Sequence, residues 1–298
     1  MKKIISVALI ASFLFALTAC GGAQENTGSA TNENIGEAVD YTIYGIDPGA
    51  GITAMTHNAL DVYGLSNWTL NESSDAAMMA ELARKYKNDE PIIITGWTPH
   101  WMFQAYDLKY LDDPEKVYGD EEAIHSMARL GLKDDEPTAY AFLDNFNWES
   151  KDMEAVMLSA RESSPEEAAA EWIKNNQDLV NSWVEGLSPV DGNPLKMAYV
   201  AWDSEIASSN VAAQVLEKRL GYKVELTQLD NGPMWASLAK GDTDGIVSAW
   251  LPITHQAQYD RFKDQVEDLG PNLTGVKLGI VVPTYMEGLS SIKDLQSK

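Results

Sequence analysis

The run Ile92-Ile93-Ile94-Thr95-Gly96-Trp97-Thr98-Pro99-His100-Trp101 places the tightest limit on the fold. Its apolar, β-branched start suits a buried strand. The Gly-Trp-x-Pro-x-Trp turn that follows puts two large indoles at the carboxyl end of that strand. In open α/β sheets this is the end at which ligands collect. The question it raises is which of the nine Trp in 298 residues are core and which face a ligand.

The residues before this run supply the rest of a small parallel-sheet unit. Positions 41–46 alternate like a strand, and Asp47-Pro48-Gly49-Ala50-Gly51-Ile52 forms a glycine-rich turn before a helix over 53–63. Such a turn leaves backbone N–H groups free to face an anion, although most glycine turns only solve a local φ problem. A strand at 68–70 and a helix to Tyr86, capped by Ser73 or Ser74, complete a β-α-β-α-β pattern. After Trp101 a short crossing strand is expected over 108–113, then helical segments over 121–130, 138–143 and 151–159. The best-marked helix runs over 165–185, with Ser164 as N-cap, Pro165 first and Gly186 at its end. Trp172 and Trp183 fall at core spacing on it. A turn cluster at 188–194 leads into a second α/β pattern. Its strands are expected at 196–201, 223–229, 245–250 and 276–282. Its helices are a segment capped by Ser208 or Ser209 and ending at Leu220, and one opened by Pro233 on which Trp235 packs.

The N-terminus reads as a secretory leader: Lys2 and Lys3, an apolar run over 4–14 too short to span a bilayer, then Leu17-Thr18-Ala19-Cys20. Cys20 is the single cysteine, so one chain cannot build a disulfide framework. Its setting is similar to a bacterial lipobox, in which the cysteine becomes the lipidated first residue. The expectation is a signal peptide over 1–20, a flexible linker over 21–40 and about 258 residues of fold, enough for two lobes. The protein is then exported and tethered to the extracellular face of the cell membrane. With 45 acidic against 22 basic residues the formal charge is −23, which excludes nucleic acid or anionic lipid as a partner of the overall field. The acidity itself identifies no ligand; solubility accounts for it.

Trp97, Trp202 and Trp250 share one grammar, each ending a predicted strand just before a polar or Pro-containing turn. Core Trp need not fall there, so three in two α/β units favour a site. Several aromatic faces around one space suit a weakly hydrated, methyl-covered cation, each face contributing ~0.5–2 kcal/mol. Na⁺ and K⁺ are disfavoured because stripping their water costs more than indoles return. His255, five residues after Trp250, is placed to share that rim as a donor to an anion; a histidine satisfied by a nearby carbonyl is the other reading. His57, His100 and His125 show no metal-ligand spacing, and no nucleophile elbow, phosphate loop or dinucleotide fingerprint is present. No cofactor and no enzymatic chemistry are expected.

The chain resembles the extracellular glycine betaine/proline betaine-binding lipoproteins of Opu-type ABC importers. The resemblance runs from about Tyr41 to the C-terminus. It rests on 45–52 (Gly-Ile-Asp-Pro-Gly-Ala-Gly-Ile), 95–103, 108–114, 199–208 (Tyr-Val-Ala-Trp-Asp-Ser-Glu-Ile-Ala-Ser), Ala249-Trp250-Leu251-Pro252-x-Thr254-His255 and 281–286. It implies an α/β type II periplasmic-binding-protein fold, two lobes joined by a hinge around a central cleft. It also implies a prism of Trp97, Trp202 and Trp250 around a trimethylammonium, with the carboxylate held by the N–H groups of Gly51 and Ile52 and by His255. The lobes would be 41–105 plus 284–298, and 106–283. The implied partners are glycine betaine or proline betaine, an ABC permease with its ATPase subunit, and the membrane through lipid on Cys20, with the receptor itself a monomer. A receptor for choline or carnitine, an extracellular sensor on the same fold and a surface enzyme acting on methylated amines are the competing readings. The enzyme reading lacks a visible nucleophile, metal or flavin motif.

Overall fold

The computed structural model describes residues 34–296; the leader, Cys20 and most of the linker lie outside the described residues, as do the last two positions. The elements follow the chain as α1 (Ile35–Ala38), β1 (Thr42–Tyr44), α2 (Gly51–Val62), β2 (Thr69–Asn71), α3 (Asp75–Tyr86), β3 (Ile94–Thr98), α4 (Met102–Ala105), β4 (Leu108–Tyr110) and β5 (Glu122–Arg129). Then come α5 (Leu132–Asp135), α6 (Pro137–Asn145), α7 (Ser150–Ala160), α8 (Pro165–Asn175), α9 (Gln177–Val184), β6 (Pro194–Tyr199) and α10 (Asp203–Lys218). The chain closes with β7 (Lys223–Gln228), α11 (Asn231–Lys240), β8 (Gly245–Leu251), α12 (Gln256–Phe262) and β9 (Val266–Pro283).

The strands join in the order β2-β1-β3-β9-β5-β8-β6-β7, with β4 also on β9. β1 is parallel to β2 and β3, and β6 is parallel to β7 and β8, so each half of the sheet has the parallel α/β plan. β9 holds the halves together. Its residues 266–276 run antiparallel to β5, while 277–283 run antiparallel to β3 and β4. One continuous strand therefore carries hydrogen bonds of both halves, and the ends of β3 and β8 meet beside it.

Local signals account for most helix limits. Ser74 caps α3 by accepting the Ala77 N–H, and Arg84 and Lys85 sit in its last turn, where the helix dipole favours cations. Ser164 and Glu167 form a full capping box on α8, with Pro165 at the first helical position. Trp183 is fully buried, stacks on Trp172 at 5.9 Å, meets Phe146 edge-on at 4.9 Å and donates its indole N–H to the Asn147 carbonyl at 2.8 Å. Trp235 is fully buried as well. Among the described residues no helix is long and apolar enough to cross a membrane.

Three expectations are overturned, and one strand, found where expected, is longer than expected. The segment expected as a helix over 121–130 is strand β5, because Ile124, Met127 and Ala128 are covered by strands on both sides, β8 and β9. Partners more than a hundred residues away override a weak local helix preference. The helix expected over 165–185 breaks into α8 and α9 at Asn176, which leaves helical geometry at φ −122°, ψ 41° and turns its amide onto the Trp172 carbonyl. The helix expected to start at Ser208 or Ser209 starts at Asp203 instead, and both serines lie buried inside α10. The strand expected at 276–282 is the last third of β9, whose earlier part holds Gly270, Pro271 and Gly275 and so carries no strand signature.

The Trp183 environment gives a stability test. Trp183→Ala removes a fully buried indole and leaves the Asn147 carbonyl without its donor, and should cost ~3–5 kcal/mol in urea unfolding. Trp183→Phe, which refills most of the volume, should cost clearly less.

Candidate functional site

The two halves of the sheet face each other across a small cavity lined by Ile46, Ala50, Gly51, Ile52, Trp97, Trp202, Ser204, Trp250, Thr254 and Leu278. Trp97 reaches it from β3, opposite Leu278 of β9. Trp202 reaches it as the residue capping the N-terminus of α10, and Trp250 from the end of β8, opposite Ile124 of β5. All three are at most 6% exposed. Five of the six residues expected around a ligand thus line one space.

Each of the three indoles has its polar edge occupied. Trp97 Nε1 donates to Ser204 Oγ at 3.3 Å, Trp202 Nε1 to Asp47 Oδ2 at 2.7 Å and Trp250 Nε1 to Glu205 Oε1 at 2.7 Å. What the rings offer the cavity is therefore their apolar, electron-rich surface. Such walls attract a cation through the ring quadrupole and supply no oxygen that would hold a hydrated metal ion.

The other side of the cavity is the N-terminus of α2. Its capping residue, Ala50, has no side chain to accept a hydrogen bond, and the first turn holds no acid. Gly51 and Ile52 are buried, and their N–H groups find no acceptor among the described residues. A buried helix start left open in this way carries partial positive charge and favours an anion. Gly51 has to be glycine here, because a Cβ would collide with the Thr254 carbonyl and side chain of the facing turn.

His255 follows Thr254 and is fully buried, its ring stacked against Trp202 at 6.0 Å. Its Nδ1 accepts the Trp250 backbone N–H at 3.1 Å. Burial pushes the imidazole down to about 3, so it is neutral, and with Nδ1 accepting, the proton sits on Nε2. That Nε2–H is buried and has no partner among the described residues, so no nearby carbonyl takes it there. The turn that carries it is fixed by Glu122 of β5, which accepts the N–H groups of Ile253 and Thr254 at 2.9 and 3.0 Å and also the Thr254 hydroxyl.

Several polar residues near the cavity are given no role by the sequence, although Asp47, Ser204 and Glu205 fall in the stretches that carry the resemblance. Glu205, Asp47 and Ser204 hold the indole edges, and Asp75 Oδ2 accepts the Asp203 N–H at 2.9 Å, capping α10 from the other half of the molecule. Burial and the nearby Asp203 carboxylate raise Asp75 well above the usual range. Trp101, the second indole of the opening turn, reaches across as well: its indole donates to Asp203 Oδ2, and the Arg161 guanidinium lies 3.8 Å from its ring centre. Asp75, His100 and Asp203 come close enough to suggest a metal group. His100 Nδ1, however, accepts the Met102 N–H at 3.1 Å, so its Nε2 holds a proton and is a donor, unsuited to ligate an ion.

The chain matches the family model described as the substrate binding domain of ABC-type glycine betaine transport system over residues 26–175 and 193–298. It is 50% identical over 300 residues to the glycine betaine/carnitine transport binding protein GbuC of Listeria monocytogenes, covering 100% of this chain and 99% of that one. Among solved structures it is similar to lactococcal OpuAC in its closed form with glycine betaine (45% identity, TM-score 0.45, 49% of this chain and 58% of that one). It is also similar to the ProX protein of Borrelia burgdorferi (35% identity, TM-score 0.49, 51% and 58%). The α/β fold is the type II periplasmic-binding-protein fold expected from the sequence, and the protein works in transport with an ABC importer. The chain belongs to the family of substrate-binding domains of ABC-type glycine betaine transport systems.

Proposed function

We propose that this protein captures glycine betaine, and proline betaine with it, at the extracellular face of the cell membrane and delivers it to an ABC permease driven by its ATPase subunit. One observation carries this reading: a single small cavity has three indole walls with occupied N–H edges on one side and unpaired buried N–H donors on the other. A trimethylammonium fits the first surface and a carboxylate the second. Trp97, Trp202 and Trp250 would surround the cation; the N–H groups of Gly51 and Ile52 and the His255 Nε2–H would hold the carboxylate. The Listeria relative's name adds carnitine, which presents the same two groups on a longer chain, as a second ligand to test.

Binding would be coupled to closure about a hinge. Trp97, Gly51 and Ile52 come from the first half, and Trp202, Trp250 and His255 from the second, so each end of the ligand would touch both. We place the lobes near 41–105 with 284–298 and near 106–283; the pairing of the end of β9 with both β3 and β4 supports moving 106–110 and 277–283 to the first lobe. Lipid on Cys20 would tether the receptor, and the ligand would leave chemically unchanged. Recovery of intact glycine betaine after prolonged incubation is the check on the competing enzyme reading.

Substitution tests the two surfaces separately. Ala at Trp97, Trp202 or Trp250 should each weaken glycine betaine binding by at least ~1 kcal/mol in calorimetry. Unchanged affinity in all three variants would reject the prism. Choline carries the cation without the carboxylate, so it should bind the wild type at least ~10-fold more weakly in a competition titration followed by Trp fluorescence. His255→Ala should then lower glycine betaine affinity and leave choline affinity in place. A variant that weakens both ligands equally would show that the anion contact is misassigned.

A further inference from the structure

The three indole walls are not equivalent on their outer edges. Trp97 gives its N–H to a neutral hydroxyl, whereas Trp202 and Trp250 give theirs to carboxylates, Asp47 and Glu205. Asp47 is partly open to water, which tempers its charge. Glu205 is 1% exposed, and its second oxygen, Oε2, has no partner. Among the described residues its side chain has one polar contact, the Trp250 indole, and no lysine or arginine neutralises it. The titratable side chains around it offer no cation. His255, beside Trp250, is held neutral by burial; Asp203, two residues upstream, is acidic and takes the Trp101 N–H. Asp75 and His100 lie beyond Asp203, one an acid and the other a neutral imidazole.

A carboxyl in this position is unsatisfied in either state. Ionised, it is a buried charge with one hydrogen bond; protonated, its hydroxyl has no acceptor. Burial pushes it up to about 8, so at neutral pH the proton is mostly on. A permanent cation seated on the face of the Trp250 ring changes the balance, because a carboxylate at the indole's N–H edge polarises that ring and attracts the cation.

We propose that Glu205 is the counter-charge of the cation box, a specificity-determining residue that acts through the Trp250 indole to make the cavity prefer a quaternary ammonium over an uncharged group of the same shape. The inference rests on reading the cavity as a betaine site. When the cation seats on Trp250, the Glu205 O–H bond breaks, the proton leaves to buffer and the carboxylate stays, its charge at the N–H edge of the ring that carries the ammonium. Binding of the cation and ionisation of Glu205 then reinforce each other, so affinity rises with pH as the free-state carboxyl ionises.

Glycine betaine and 3,3-dimethylbutyrate test this, because they share the carboxylate and the methyl-covered head and differ only in N⁺ for C. Glu205→Gln keeps an acceptor for the Trp250 N–H and the side-chain volume while removing the charge. In calorimetry the wild type should prefer glycine betaine, and the variant should narrow that preference by about tenfold or more, its 3,3-dimethylbutyrate affinity holding within about twofold. An equal loss for both ligands, or an unchanged ratio, would overturn the proposal and show a packing role only, leaving the betaine reading intact. Failure of the wild type to bind glycine betaine would overturn both. A second measurement needs no variant: wild-type titrations near pH 8 in phosphate and in Tris report the protons exchanged on binding. Glycine betaine should release more than 3,3-dimethylbutyrate does, the subtraction cancelling protons moved by closure at Asp75. Equal proton exchange for the two ligands would overturn the proposal.

Discussion

An indole that walls a cavity has one polar atom to satisfy, and leaving it unpaired in the interior costs on the order of 1–3 kcal/mol. Here that single requirement does much to determine how the halves of the molecule meet. The Trp97 N–H can reach Ser204 and the Trp202 N–H can reach Asp47 only if residues 107 and 155 positions apart are brought together. Asn231 joins them by donating to the Gly49 carbonyl at 3.1 Å, and Asp75 by accepting the Asp203 N–H. The aromatic surface and the contacts between halves are thus one arrangement, because the same side chains supply both.

The magnitudes separate the interactions that matter from those that decorate the surface. Exposed pairs such as Lys116–Asp120 and Lys151–Glu149 join side chains in water, where solvent screening leaves them little to contribute. The net charge of −23 acts over distances that salt screens, and a zwitterion feels little net force from it. The buried acids are different. Asp75 and Glu205 each hold one hydrogen bond and one bare oxygen, a state that costs stability when ionised. On the proposed reading, their presence where apolar residues would pack more stably is where the fold trades stability for function.

What could be read in the sequence was what depends on neighbours along the chain. Ile92 to Ile94 announce a buried strand, and Trp97 and Trp250 follow such runs directly, so their common location at strand ends was legible. Ser74 and Ser164 signal helix starts because a cap acts within three residues. The misread elements depend on distant partners. Glu122–Arg129 becomes a strand only because β8 and β9 lie on either side of it, and the first two-thirds of β9 is built through glycines and a proline that its partner β5 tolerates. The polar residues that tie down the site escaped for the same reason. Glu205 lies three residues after Trp202 but serves Trp250, and Asp75 sits in a first helical turn yet caps a different helix 128 positions away.

The position of Gly51 shows how closely the two halves of the candidate site are coupled. The start of α2 and the turn of Thr254 abut, with the Thr254 carbonyl against the Gly51 Cα where no Cβ can fit. Glu122 fixes that turn through three hydrogen bonds, and the turn in turn fixes the His255 ring through the Trp250 N–H. On the proposed reading, the three donors of the anion surface come from opposite sides of this contact. Parting the halves would separate Gly51 and Ile52 from His255 as surely as it would separate Trp97 from Trp202. A ligand carrying only one charged group would complete one surface and leave the other exposed. A zwitterion completes both, so the chemistry of the ligand and the geometry of closure select each other.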